Sequence, residues 1–76
     1  MSASIYSNDH KFIIKQLKNA RVEAGLDQKK VAEFLGKTQS YVSKMESGQR
    51  KIDIVQLKEF ARLYQKPLEY FIGHEK

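Results

Sequence analysis

Residues 28–47, QKKVAEFLGKTQSYVSKMES, constrain this chain more than any other segment, because they put small and apolar side chains where two short helices crossing at a tight turn need them. Val31, Ala32 and Leu35 share one face of a first helix at the 3.6-residue period. Gly36 and Lys37 interrupt it, Thr38 can cap the next helix, and Val42 and Met45 then point back inward. The outward positions left on that second helix are polar: Gln39, Ser40, Ser43 and Lys44. A helix that buries one face and presents hydrogen-bonding side chains on the other is equipped to reach base edges in a major groove.

Neither helix of this pair can bury its apolar face alone, so flanking segments must supply the core. Upstream, Ile13, Leu17, Ala20 and Ala24 repeat at helical spacing, with Ile14 and Arg21 alongside, which predicts a helix over residues 9–24. Asn8 or Asp9 can cap it and Gly25 ends it. Asp27 caps the helix that begins at Gln28, and the next helix is expected over residues 39–47, with Gly48 at its end. Downstream, Asp53 followed by Gln56 reads as a capping box, and Ile54, Leu57, Phe60, Ala61 and Tyr64 follow one face of a fourth helix. Pro67 fits the first turn of a short fifth helix that Gly73 closes. No strand-like alternation or hairpin turn occurs, so the expected fold is all-α, five helices forming one domain over residues 9–74 behind a flexible tail at residues 1–8.

Seventy-six residues place the chain near the lower limit for independent folding. It has no cysteine, hence no disulfide or thiolate metal site to staple it, and the core must be aliphatic and aromatic. Cysteine usage also favours a reducing compartment. No apolar run approaches a transmembrane span, and the N-terminus lacks the charged start and apolar stretch of a signal peptide, so a cytoplasmic location is expected and no membrane partner.

The net charge of +5 is concentrated. Between residues 28 and 51, Lys29, Lys30, Lys37, Lys44, Arg50 and Lys51 stand against Glu33 and Glu46, leaving +4 of that total in under a third of the chain. Such a cluster suits a polyanion, although a solvated lysine-rich surface has the same composition. Enzyme chemistry is not expected. His10 and His74 sit near opposite ends, no glycine-rich phosphate loop or metal-spaced histidine pair is present, and the acids scatter as solvated faces do. No cofactor, metal or small-molecule ligand is implied.

Taken together, Arg21, Gly25-Leu26, Gln28, Val31-Ala32, Leu35-Gly36, Val42, Met45-Glu46 and Gly48, followed by a hydrophobic fourth helix and a Pro-Leu-Glu-Tyr-Phe ending, resemble the Cro/phage-repressor-like helix-turn-helix family, also called the XRE family. The resemblance covers residues 13–73. It implies a lambda-repressor-like domain that binds double-stranded DNA with the third helix in the major groove, in a bacterial or phage setting. Gln39, Ser40, Ser43 and Lys44 fall on the family's base-reading positions. Gln28 is then expected to hold a phosphate and buttress Gln39, while Thr38, Ser47, Gln49, Arg50 and Lys51 become candidates for backbone contacts. Tyr41 could meet a sugar or phosphate, or instead pack over the turn. By the same resemblance Arg21, on the inner side of its helix, pairs with Glu46 and is not a DNA ligand.

Two departures from the family pattern carry expectations. Ala20 stands where leucine is more frequent, so Phe12 or Ile14 should restore the volume, and Lys66 stands where a serine or threonine cap is usual, so the start of the fifth helix should fray. Such proteins commonly dock as two-fold pairs on palindromic operators. Tyr64, Leu68, Tyr70, Phe71 and Ile72 are the candidates for a homodimer interface. The resemblance favours a transcriptional repressor. An antitoxin-like module with a protein partner and a restriction–modification controller are the competing readings.

Overall fold

The computed structural model describes residues 8–73 and contains five helices: α1 (Asn8–Glu23), α2 (Gln28–Leu35), α3 (Gln39–Ser47), α4 (Ile54–Tyr64) and α5 (Leu68–Ile72). α2 packs on α3, and α1 runs behind them in contact with α3, α4 and α5. The core draws from every helix: Leu17 and Ala20, Val31 and Ala32, Val42 and Met45, then Leu57, Phe60, Ala61 and Tyr64, and Phe71. Of the tail expected at residues 1–8, Asn8 belongs to α1, while residues 1–7, like His74, lie outside the described residues.

Helix ends follow from short-range chemistry. Asp27 accepts the Lys30 amide at 2.8 Å, and Thr38 Oγ1 accepts the Tyr41 amide at 3.1 Å. Asp53 accepts the Gln56 amide at 2.7 Å while Gln56 Oε1 accepts the Asp53 amide at 3.0 Å, a complete capping box. α2, α3 and α4 all end in paired reverse hydrogen bonds around a left-handed residue, at Gly36, Gly48 and Gln65. α5 starts after Pro67 with no side-chain cap.

Several expectations need correction. α1 begins at Asn8 and ends at Glu23, so Ala24 falls in the closing turn and is exposed. Ile54, expected on the core face, is 55% exposed as the first residue of α4. Neither Phe12 nor Ile14 fills the space beside Ala20. Phe12 is exposed near Gly73, and Ile14 reaches toward Gly48, about 9 Å back along α1 at the helical rise. A groove of about 500 Å³ opens beside Ala20 instead, with Leu26, Phe34 and Leu63 along it.

Gly48 has two separate demands on it. Its φ is +82°, and a Cβ there would come within 3.0 Å of Ile14 Cδ1 and 3.6 Å of His10 Nε2. Gly36 has a similar φ of +69° with nothing within 4 Å of the same position. Gly48→Ala is therefore expected to cost about 1–3 kcal/mol from the left-handed conformation plus the contact, and more than Gly36→Ala. Urea unfolding of the two variants side by side checks this, and equal losses would show that the Ile14 contact yields freely.

Candidate nucleic-acid interface

α3 presents a clean division of its faces. Val42 and Met45 are buried, whereas Gln39, Ser40, Ser43 and Lys44 are all exposed. At helical spacing these four share one stripe, extended by Ser47 one turn on. Glu46 is the acid of this helix, and it is turned inward.

Beneath the stripe lies an ionic junction. Arg21 donates from Nε to Glu46 Oε2 at 2.7 Å and from Nη2 to Oε1 at 3.2 Å, while Nη1 donates to the Leu26 carbonyl at 2.9 Å. The two side chains are only 12% and 5% exposed. The hydrogen bond to Glu46 raises the Arg21 pKa against the opposing effect of burial. Gln28 Nε2 also donates to Glu46 Oε1, at 3.1 Å. Gln28 therefore has a partner besides the expected phosphate and Gln39: its Nε2 ties the start of α2 to the last turn of α3. Glu46 of α3 thereby joins Arg21 of α1 and Gln28 of α2, and Arg21 also holds the α1–α2 link at the Leu26 carbonyl.

Of the alternatives for Tyr41, packing fits its hydroxyl, which is buried and not open to bond a phosphate. Val42 faces the core, and the neighbouring Tyr41 ring stacks on Phe60 with centroids 6.4 Å apart and planes 8° from parallel. Burial, with Glu59 nearby, raises the Tyr41 pKa. The ring is instead a floor for cations: Lys37 Nζ lies 5.3 Å and the Arg50 guanidinium carbon 5.5 Å from its centroid. The other backbone candidates, Thr38, Ser47, Gln49, Arg50 and Lys51, are exposed. Thr38 also caps α3, and Ser47 Oγ donates to the Lys44 carbonyl at 3.3 Å.

The sequence places Lys37 in the break between α2 and α3 and in the charge cluster, but gives no sign through composition of its contact with Tyr41. The available signal was its position four residues before Tyr41, inside the turn that starts α3.

The candidates for self-association divide in two. Tyr64 and Phe71 are buried in the core and are not available to a partner. Burial pushes the Tyr64 phenol well up, with the Glu46 charge adding to it. Leu68 and Tyr70 are half-buried against the core, and Gln16 Nε2 bonds the Tyr70 carbonyl at 3.0 Å, pinning α5 to α1. Ile72, 50% exposed, is the apolar side chain of the set that faces outward. α5 closes the core through Phe71, which is fully buried.

Among the described residues, no helix is long and apolar enough to cross a membrane, and no group of histidines and acids could hold a metal ion. Comparison with curated proteins and with solved structures finds no match. A helix-turn-helix family model matches residues 17–71, from the middle of α1 into α5 and across the whole α2–α3 unit. The chain belongs to the XRE family of helix-turn-helix DNA-binding domains.

Proposed function

We propose that this protein binds double-stranded DNA in a sequence-specific way, as a homodimer on a two-fold operator, and regulates transcription, most simply as a repressor. The observation that carries the reading is the exposed stripe Gln39, Ser40, Ser43 and Lys44 on a helix whose other face is buried. Gln39 can bond adenine N6 and N7, Lys44 can donate to guanine O6 or N7, and the two serines can serve either. Arg50, Lys51, Gln49, Ser47 and Thr38 flank the stripe and would hold phosphates, which positions the helix without specifying sequence. Pairing through α5 would rest on Ile72 with the exposed edges of Leu68 and Tyr70, setting two copies of α3 about 34 Å apart. In this role the protein works in the cytoplasm of a bacterium, or of a bacterium carrying a phage.

Selection of binding sites from random duplex DNA, followed by substitution, tests the reading. Gln39→Ala and Lys44→Ala should each relax preference at particular base pairs by about 1–3 kcal/mol. Lys51→Ala should weaken all sequences alike. Equal affinity of the unsubstituted protein for selected and scrambled duplexes would overturn it. A protein partner, as in an antitoxin-like module, is the second reading, and it draws on Phe34, 61% exposed beside the groove at Ala20.

A further inference from the structure

Lys37 and Arg50 come from opposite ends of α3, one in the turn before it and one in the loop after it, yet both lie over one aromatic ring. A shared cleft of about 510 Å³ joins them, with Lys44, Thr38, Ser40 and Tyr41 in its walls. Three cations and two hydroxyls make its polar lining, and no carboxylate is among the lining residues. Glu59 and Asp53 act electrostatically on the Tyr41 phenol but do not line the cleft. Tyr41 itself cannot move easily. Its amide is bonded to the Thr38 cap, its hydroxyl is buried, and Phe60 stacks on its ring.

We infer that Tyr41 is a positioning residue: its ring holds Lys37 and Arg50 as a two-pronged grip on a single phosphate of the DNA backbone beside the base-reading stripe. This rests on the DNA-binding reading above. The physical need is entropic as well as electrostatic. A lysine and an arginine each lose considerable rotamer freedom when they close on a ligand, and cation–π contact with a fixed ring restrains both beforehand. Because the phosphate carries no base identity, the grip should act on affinity and register and leave preference to α3.

The test uses the full-length protein with a selected duplex and a scrambled one, reading affinity over a salt series. Lys37→Ala and Arg50→Ala should each weaken binding but leave the slope of log K against log salt nearly unchanged, since the remaining cation still neutralises the shared phosphate. The double variant should lose about 0.9 of slope per protomer, the value for one phosphate. Tyr41→Phe keeps the ring and should bind within about twofold of the unsubstituted protein, whereas Tyr41→Leu should weaken both duplexes alike by about tenfold. Single variants that each lose about 0.9 of slope, with a double variant that loses about 1.8, assign the cations to separate phosphates and overturn the grip. So does a folded Tyr41→Leu protein that binds as the unsubstituted one does. If Tyr41→Leu fails to fold, the Lys37 and Arg50 set decides by itself. A salt-independent unsubstituted protein would remove the DNA-binding reading and the grip with it.

Discussion

Glu46→Ala is expected to remove about 3–5 kcal/mol of stability, the usual cost of deleting one partner from a buried ion pair. The loss has a definite structural source. Arg21 would keep its charge at a site where its side chain is 12% exposed, and the Gln28 amide would lose its acceptor in the same step. Because small domains are commonly stable by only about 5–15 kcal/mol, the variant should be partly unfolded on mild warming. Denaturant unfolding should show a lowered midpoint with an unchanged slope. Replacing both partners with apolar residues, as in Arg21→Met with Glu46→Leu, should cost less than Glu46→Ala alone, since no charge is then stranded. A Glu46→Ala midpoint equal to that of the unsubstituted protein would show that the junction is not structural. Loss of DNA binding in Glu46→Ala must be read together with its stability, because the junction lies under α3 and does not face outward.

Affinity for duplex DNA should fall by about 10³–10⁵ between 50 and 200 mM salt if a dimer neutralises roughly six to ten phosphates. Lys29, Lys30, Lys37, Lys44, Arg50 and Lys51 are all exposed on the helix-turn-helix unit and its following loop. The charge count over residues 28–51 understates this surface. Glu46 is neutralised from outside the segment by Arg21 and faces inward, which leaves Glu33 as the exposed acid there, 3.5 Å from Lys30. The outward face is therefore more positive than the local sequence. Measured dissociation constants over that salt range check the expectation. A fall of less than tenfold would mean that the lysines are ordinary solvated surface and that DNA is not the main partner.

The helices themselves were largely readable along the chain. Asp27, Thr38 and the Asp53–Gln56 box cap their helices through bonds to amides three residues away, so the signal and the structure lie in one short window. Gly36 and Gly48 end theirs for an equally local reason, a positive φ that other side chains resist. Gln65 shows the limit of that signal, since it takes φ +58° at the end of α4 without being glycine. The stripe on α3 was also legible, because helical periodicity assigns residues to faces. Periodicity does not say how deep each residue on a face will lie. Ile54 shares the spacing of Leu57, Phe60 and Ala61 but stands at the first position of α4 and meets water.

By itself, then, the sequence determined five capped helices, a paired α2–α3 unit of the XRE type and a basic outward face, because caps, turns and periodicity act over a few residues. Only the tertiary structure decided what each polar or aromatic group touches. Gln28 reaches Glu46 across 18 residues, Tyr41 lies on Phe60 and beneath Arg50, and Tyr64 and Phe71 turn into the core that a partner would otherwise have met. Those choices depend on which helix faces meet, since a side chain's partners come from segments distant in the sequence that only the packed fold brings together.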